Sequence, residues 1–229
     1  MSKNTALIFK KWIKETSDIY SFIFEVPETF DWLPGQHGIF RFKEEIPMEG
    51  KDFRIYSFAS IEEENMMLFS TRIVDEPSDF KKNLLKLEPG DIMTVDQARG
   101  KFLLKDYSRP TLIMAGGIGI TPVRAFVKEI EDKKPKINDL TILYSDDRGE
   151  FAYEDVFNKT KEKYQGLTID LIGDRELFTD KIDAYAKDMV NESLYYISGT
   201  PGMVNFITEK LVGFGVKKEN IVTDSFAGY

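Results

Sequence analysis

Short runs of alternating apolar and polar residues fill the first half of the chain. They include "ALIFKKWI", "IYSFIFEV", "HGIFRF" and "FRIYSFAS", separated by turn signals such as "LPGQ" and "EPGD". A period of two is typical of strands with one buried face, and this spacing predicts a small antiparallel barrel or sandwich. One helix is predicted within it, at "FKKNLLKL", before Pro89 and Gly90.

The pattern changes near residue 108. Apolar runs "TLIMA", "LTILYS", "LTIDLI" and "LYYISG" alternate with segments of helical periodicity. The helix after Pro122 has four apolar residues on one face, namely Val123, Phe126, Val127 and Ile130. Alternating strands and helices predict a parallel sheet that is covered on both faces. We therefore predict two domains, 1–107 and 108–229, joined near "KDYSRP".

Composition excludes several classes of function. The chain has 229 residues, a net charge of −8 and no cysteine. The absence of cysteine excludes disulfides, thiolate metal sites and cysteine-ligated iron–sulfur clusters. The chain also has no Lys/Arg cluster dense enough to predict binding of nucleic acid. The single histidine, His37, has no second His or Cys with which to bind a metal, and we expect it to pack. The start has no signal-like apolar region and no run approaches 18 apolar residues, so we expect a soluble cytoplasmic protein without a membrane partner. The oligomeric state stays open.

A glycine-rich turn at "GGIGITP" follows the first strand of the second half. It matches G-x-G-x-x-G at Gly117 and Gly119, but Pro122 stands where the third glycine would be. We expect Thr121 at the N-cap and Pro122 at the first helical position, where a missing N–H costs nothing. Such a helix start suits a pyrophosphate, and the glycines, Gly116 among them, allow close backbone approach. The turn is thus predicted to bind a dinucleotide with altered geometry.

The same design recurs at "YYISGTPGMVNFI". Gly199 is followed by Thr200 and Pro201, with Met203 in the first turn of the next helix. Either turn alone has a purely structural explanation, because Thr-Pro is simply a good start for a helix. The pair is more specific, since both turns would lie at the carboxyl ends of parallel strands, where ligands bind.

Three motifs in order resemble the ferredoxin–NADP reductase family, in a compact form without an iron–sulfur cluster. "RIYS" resembles its R-x-Y-S flavin motif, "GGIGITP" its nicotinamide-nucleotide pyrophosphate loop and "SGTPGMV" its C-G-P-P-x-M segment. "LPGQ", "SDFKKNLLKLEPGD", "GKFLL" and "DSFAGY" are further matches, so the resemblance covers nearly the whole chain. It implies an antiparallel Greek-key flavin-binding β-barrel followed by a parallel-sheet α/β domain that binds NADH or NADPH.

The resemblance also implies a site for FAD on the barrel. Arg54 would pair with the pyrophosphate, Tyr56 would stack on the isoalloxazine and Ser57 would bond near flavin N5. Additional candidates for contact with FAD lie on the next strand and at the start of the barrel helix: Thr71, Ile73, Ser78, Phe80 and Lys81. Two alternatives stay open, in which Tyr56 faces the core of an ordinary strand and Lys81 is a solvated surface lysine.

For the nicotinamide nucleotide, the resemblance places Thr121 of the first turn, and Gly199 and Thr200 of the second, near the nicotinamide. Ser198 stands where the family has a cysteine beside the reacting atoms, which puts the rate of hydride transfer in doubt.

Two features after the strand "LTILYS" bear on which nucleotide is used. Ser145 and Arg148 would favour the 2′-phosphate of NADPH. Asp146 or Asp147 would favour NADH, because a carboxylate accepts a hydrogen bond from a ribose hydroxyl and repels a phosphate. The adjacent carboxylates lead us to favour NADH.

The tail "TDSFAGY" supplies two aromatic residues. Phe226 or Tyr229 would cover the second face of the flavin, and Asp224 would lie near N5 or the nicotinamide. The alternative is a frayed terminus without a role.

Together these features predict an FAD-dependent oxidoreductase. It would take hydride from NAD(P)H and pass electrons to an unidentified acceptor, which is a redox protein, a partner subunit or a small molecule. The alternative function is a non-catalytic or regulatory flavin-binding module of the same fold, for which Ser198 is the motive.

Overall fold

The computed structural model describes residues 4–104 and 106–226. The chain divides into two compact units, Met1–Leu103 and Leu104–Tyr229. The division falls within a few residues of the predicted boundary at 107/108. No helix in the two described ranges is long and apolar enough to cross a membrane.

The first unit is an antiparallel sheet of six strands. Their bounds are β1 Thr5–Lys14, β2 Ile19–Glu25, β3 His37–Phe42, β4 Phe53–Ser57, β5 Met67–Arg72 and β6 Ile92–Val95. A short 3₁₀ helix, Glu62–Glu64, precedes β5, and helix α1, Asp79–Leu84, lies between β5 and β6. The strands lie in the order β4-β3-β6-β1-β2-β5.

The two edge strands of this sheet approach one another and close it into a barrel. Directly after β4, the Ala59 N–H donates to the Leu68 carbonyl of β5 at 2.7 Å. The rings of Tyr56 and Phe69 also stack across the closure, with centroids 4.3 Å apart and planes 4° from parallel. The interior is filled by fully buried aromatic residues that include Phe9, Phe22, Phe24, Phe40 and Phe69. The inward alternation of large aromatics therefore produces the predicted barrel.

The second unit is a parallel sheet of five strands with helices between them. The strands are β7 Thr111–Gly116, β8 Leu140–Ser145, β9 Leu167–Ile172, β10 Leu194–Gly199 and β11 Ile221–Ser225. The helices are α2 Ile120–Lys133, α3 Glu154–Lys161, α4 Arg175–Met189 and α5 Pro201–Gly213, with 3₁₀ turns at Gly117–Gly119 and Lys218–Asn220. The order β11-β10-β7-β8-β9 confirms the predicted parallel α/β architecture.

The strand order reverses between β7 and β10. The chain runs outward from β7 through β8 to β9, and then returns to place β10 on the other side of β7. At such a reversal the loops that leave the two neighbouring strands point in different directions and open a crevice at the carboxyl edge. Both glycine turns found in the sequence leave the sheet at this reversal.

Candidate functional site

Arg54 is held in place by the backbone around it and by the start of α1. Its Nη1 donates to the carbonyl oxygens of Lys51 and Phe53, at 2.9 and 2.8 Å. Its Nη2 donates to the Ser78 hydroxyl at 3.2 Å, and the guanidinium lies over the Phe80 ring, 5.1 Å from the centroid. Three residues that the sequence nominated separately, Arg54, Ser78 and Phe80, are therefore brought together.

Lys81 lies beside this group and is buried. Its Nζ donates to the Arg72 carbonyl at 2.8 Å, so the alternative of a solvated surface lysine is wrong. The pKa of Lys81 is lowered by burial and by the positive charges of Arg54 and Arg72. We call Arg54, Arg72 and Lys81 the cation cluster.

Within the cation cluster, Arg72 pairs with Asp18 at 3.3 Å. Arg54 donates to two carbonyl oxygens and one hydroxyl, acceptors that carry no formal charge. Cations that repel one another in a partly buried place favour binding of an anion, which relieves both the repulsion and the loss of hydration.

Two buried hydroxyls, those of Tyr56 and Thr71, have no hydrogen-bond partner in the described part of the chain. Burial raises the pKa of the Tyr56 phenol well above its usual range, although the nearby Thr71 side chain and Arg54 oppose this. The Thr71 hydroxyl is close enough to affect the pKa of Tyr56, but the two hydroxyls do not meet the geometric criteria for a hydrogen bond. An unpartnered buried hydroxyl costs about 1–3 kcal/mol, so this pair is suited to polar groups of a ligand.

The ring of Tyr56 faces the barrel core in this structure. It is only 6% exposed and stacks on Phe69, as the structural alternative for this strand expects. Stacking of Tyr56 on a flavin therefore stays a prediction. Ser57 points to the other face of the sheet and is buried. Ile73 is also buried, and its N–H donates to the Asp18 carbonyl at 2.7 Å just beyond β5.

The first glycine turn, residues 116–122, differs from the predicted geometry. The segment Gly117–Gly119 is already helical, so Gly119 is the N-cap of α2 and the expected N-cap at Thr121 is wrong. Thr121 and Pro122 lie at the second and third helical positions instead. The Thr121 hydroxyl donates to the Ile118 carbonyl at 2.8 Å. In a regular helix the N–H of residue 122 would bond there, so the threonine replaces the donor that proline lacks.

The second glycine turn, residues 198–203, follows the expected design. Thr200 is the N-cap of α5, its hydroxyl accepts the Met203 N–H at 3.4 Å, and Pro201 occupies the first turn. No side chain caps α2 in the described residues, whereas α5 is capped by its own threonine. The N-terminus of α2 is therefore the better of the two for an anion.

The two glycine turns pack against each other. A methyl group on Gly119 would lie 2.3 Å from the Ser198 carbonyl oxygen. A methyl group on Gly116 would lie 2.2 Å from the Met203 sulfur, and one on Gly199 would lie 2.7 Å from the same atom. Gly119 is thus required by the backbone of the second turn, whereas the neighbour of Gly116 and Gly199 is the flexible Met203 side chain. Gly117 is favoured by its positive φ of 53°.

Ser198 lies at the carboxyl end of β10, beside the strand reversal. It is fully buried, and its hydroxyl has no partner among the described residues. Asp224 of β11 lies directly beside it in the parallel ladder. The chain then continues so that the Phe226 N–H donates to the Gly199 carbonyl at 3.0 Å. Tyr229, the other proposed flavin cover, lies outside the described residues.

The loop after β8 holds the candidates for nucleotide preference. Ser145 pairs with Gly116 of β7, which places it at the same edge. Asp146 is buried and accepts the Arg148 N–H at 3.0 Å, so this carboxylate fixes its own turn. Asp147 is exposed and pairs with Arg175 at 2.6 Å. Sequence analysis missed Arg175, which lies at the start of a different helix.

The residues present fit a flavin and a dinucleotide better than a metal. The barrel offers a cation cluster and two unpartnered hydroxyls, and the parallel sheet offers an uncapped helix start beside close glycines. No group of three acidic or histidine side chains in the described ranges is arranged to hold a metal ion.

No protein-family model matches this chain. Among curated proteins it is similar to a subunit of the Na(+)-translocating NADH-quinone reductase of Neisseria meningitidis, with 23% identity over 231 residues, 90% of this chain and 56% of that protein. The chain thus spans about half the length of the curated relatives it matches.

Solved structures give a clearer likeness. A ferredoxin–NADP⁺ reductase from Plasmodium falciparum superposes with a TM-score of 0.81 at 15% identity, covering 98% of this chain and 97% of that one. A flavohemoglobin from Malassezia yamatoensis, with bound FAD and heme, superposes with a TM-score of 0.80 at 16% identity, covering 99% of this chain and 61% of that one. At such identities the likeness establishes the fold.

Proposed function

We propose, from the ferredoxin–NADP reductase-like fold that this chain has, that it is an NAD(P)H-dependent flavoprotein reductase. The barrel unit would bind FAD, the parallel-sheet unit would bind the nicotinamide nucleotide, and electrons would pass to a separate acceptor. The observation that carries this proposal is the convergence of Arg54, Arg72 and Lys81 beside the unpartnered hydroxyls of Tyr56 and Thr71.

On the barrel, the cation cluster would hold the diphosphate of FAD. Arg54 suits this role because its planar guanidinium is already oriented by two backbone carbonyls and by Ser78. The hydroxyls of Tyr56 and Thr71 would exchange an unpartnered state for hydrogen bonds to polar groups of FAD. When bound, FAD supplies the capacity to accept hydride, and the protein supplies binding, orientation and exclusion of water.

On the parallel sheet, the first glycine turn would hold the nucleotide pyrophosphate. The Thr121 hydroxyl donates to the Ile118 carbonyl, and no side chain caps the N-terminus of α2. The partial positive charge of this helix end is therefore available to an anion. The second turn would instead shape the edge of the crevice through Gly199 and Ser198. Ser198 would place a hydroxyl where the family has a thiol.

NADH is our preferred nucleotide. The curated relative described above belongs to an NADH-quinone reductase, whereas the structural relative is a ferredoxin–NADP⁺ reductase. The loop after β8 carries the carboxylates of Asp146 and Asp147 and the guanidinium of Arg148, so these residues alone support either nucleotide. We propose only the class of the electron acceptor, which is a redox protein, a partner subunit or a small molecule.

A regulatory flavin-binding module is the second candidate function. Ser198 favours it, because this serine replaces the thiol that the family places beside the reacting atoms. Anaerobic spectra separate the two candidates. The purified chain, loaded with FAD, is mixed with NADH and separately with NADPH. Bleaching of the flavin band by either nucleotide supports the reductase, whereas FAD binding without bleaching supports the regulatory module. A chain that stays colourless after incubation with FAD contradicts both.

A further inference from the structure

The carboxyl half of β1 extends beyond its neighbour β6 and forms an open edge of the barrel sheet. The last residue of β1 that pairs with β6 is Ile8. One residue later, the Phe9 N–H donates to the Asp91 carbonyl at 2.8 Å, and the Phe9 carbonyl accepts the Gly90 N–H at 2.9 Å. Beyond Phe9, no strand of the described ranges lies beside β1 on this side. We call residues 11–14 the β1 edge.

The pairing of β1 with β2 shows where the backbone groups of the β1 edge point. The Glu15 N–H donates to the Ile19 carbonyl at 2.9 Å, so these two residues form a hydrogen-bonded pair. Such pairs alternate along an antiparallel ladder, so Ile13 also directs its backbone groups to β2. Trp12 and Lys14 therefore direct their N–H and C=O groups to the open side. Each of these two residues offers one donor and one acceptor to an added strand.

Each face of the β1 edge carries one apolar side chain and one lysine. On one face the Trp12 ring packs edge-on against Tyr20, with centroids 5.6 Å apart, and the Lys14 Nζ lies 5.6 Å from the centre of the same Tyr20 ring. Lys11 and Ile13 share the opposite face, because side chains alternate along a strand. Trp12 is 42% exposed and Ile13 is 40% exposed, and both lysines are exposed.

The charge of the β1 edge is opposite to that of the whole chain. The net charge of the chain is −8, whereas "KKWIK", residues 10–14, contains three lysines and no acidic residue. Lys10, at the irregularity that precedes the edge, pairs with Glu25. The positive charge of the edge itself is therefore that of Lys11 and Lys14. A strand laid beside this edge is matched in charge if it has carboxylates opposite these two lysines.

A second copy of the same edge does not meet this requirement. In an antiparallel pair of two β1 edges, Lys11 of one copy would lie opposite Lys14 of the other, and like charges across a ladder are destabilising. Lysines on edge strands commonly prevent such association. Protection alone does not require the exposure of Trp12 and Ile13, because large apolar side chains at an edge favour association. The combination of side chains favours a partner strand of a different sequence.

We propose that the β1 edge binds an extended acidic segment of a partner protein, which adds a strand to the barrel sheet. The segment would pair with the outward backbone groups of Trp12 and Lys14. It would be acidic opposite Lys11 and Lys14 and apolar between them, which gives the order acidic–apolar–apolar–acidic for either direction of the strand. The residues of this surface are separate from the cation cluster and the glycine turns, so the inference is independent of the proposed function.

Amide hydrogen exchange, resolved by nuclear magnetic resonance, tests strand addition at each residue. The probe is the acetylated and amidated peptide Thr-Glu-Val-Val-Glu-Thr, added to the full chain. Without peptide, the Ile13 amide should exchange slowly because it is bonded to β2, whereas the Trp12 and Lys14 amides should exchange fast. At about ten times its Kd, the peptide should slow exchange at Trp12 and Lys14 about tenfold by mass action, with little effect at Ile13.

Two control peptides separate strand pairing from attraction of charge. Thr-Glu-Pro-Pro-Glu-Thr has the same charge but lacks the central N–H groups, and Thr-Lys-Val-Val-Lys-Thr has the opposite charge. We expect the acidic valine peptide to bind about tenfold more tightly than either control. Equal binding of the proline peptide, or binding without slower exchange at Trp12 and Lys14, overturns the inference. No binding of the acidic valine peptide also overturns it, because the lysines then only protect the edge.

Charge reversal is the second test. The double variant Lys11→Glu/Lys14→Glu should prefer the lysine peptide. The matched double variant Lys51→Glu/Lys101→Glu changes two exposed lysines of the same unit outside β1 and should keep the preference of the wild type. An unchanged preference in the first variant contradicts the inference.

The wild-type chain alone distinguishes the remaining occupant. Exchange at Trp12 and Lys14 that slows as the protein concentration rises, without any peptide, would identify a second copy of the chain as the occupant and would overturn the inference. The exchange and peptide measurements need neither a substitution nor bound FAD. They therefore decide this inference even if a variant does not fold or the proposed function fails.

Discussion

Gly119→Ala tests whether contact between the two glycine turns defines the nucleotide site. Gly119 has φ −59° and ψ −10°, a conformation that alanine adopts without strain. The problem is space: the new methyl would lie 2.3 Å from the Ser198 carbonyl oxygen, 2.6 Å from its carbonyl carbon and 2.8 Å from the Gly199 nitrogen. All three atoms belong to the backbone of β10, which has no rotamer through which to move away.

The magnitude follows from this geometry. Ordinary contacts between heavy atoms lie near 3.5–4.0 Å, so the turn must move by roughly 1 Å or more. Overpacking costs about 1–3 kcal/mol, and backbone neighbours place this site at the upper end, about 3 kcal/mol. Alanine recovers at most about 1 kcal/mol, because it lowers the conformational entropy of the unfolded chain. We therefore expect a net loss of about 2 kcal/mol in the free energy of unfolding.

Gly202→Ala is the matched control. Gly202 lies in the first turn of α5, and a methyl group there meets nothing within 4 Å. The same substitution should therefore be neutral or stabilise the second unit by up to about 1 kcal/mol.

Urea unfolding followed by two probes distinguishes the units. Far-UV circular dichroism responds mainly to the helices, most of which lie in the second unit, whereas Trp12 and Trp32 both lie in the first. We expect Gly119→Ala to lower the urea midpoint of the circular-dichroism transition and to weaken nucleotide binding. The urea midpoint of the tryptophan-fluorescence transition and the FAD content should not change. A variant as stable as Gly202→Ala, with unchanged nucleotide affinity, would refute the reasoning.

Three further predictions concern the cofactors. Arg54→Ala should weaken FAD binding by about 1.5–3 kcal/mol, and Arg54→Lys should have an intermediate effect because lysine keeps the charge but lacks the planar guanidinium. Fluorescence titration with FAD measures both affinities. If the wild type and both variants bind FAD equally well, Arg54 has no role in binding. NADH should give a higher kcat/KM than NADPH. A clearly higher kcat/KM with NADPH would contradict the inference that Asp146 and Asp147 favour NADH. Deleting residues 226–229 should tighten nicotinamide binding and change the flavin spectrum if a tail aromatic competes for the flavin face, whereas an unchanged spectrum and Kd would exclude a covering role.

The sequence by itself determined the classes of structure. Alternation such as "ALIFKKWI" indicates a strand with one buried face, and in β1 Leu7 and Phe9 are buried while Ile8 is exposed. The helical spacing after Pro122 likewise indicates a helix with an apolar face, because both patterns depend on residues only a few positions apart. Thr200 and Pro201 were placed correctly at a helix start for the same reason, since capping involves only neighbouring residues. Thr121 and Pro122 carry the same local signal, but the helical Gly117–Gly119 segment moved the start of the helix before them.

Only the tertiary structure decided which distant residues meet. The approach of Gly119 to Ser198, the place of Asp224 beside Ser198, and the pairing of Asp147 with Arg175 all depend on the order of strands in the sheet. The burial of Lys81 against the Arg72 carbonyl likewise depends on how α1 packs on the barrel. Such contacts join residues that are far apart along the chain, so no local periodicity encodes them. They are fixed by the packing of whole elements, which selects one arrangement because its apolar faces and buried polar groups are satisfied together.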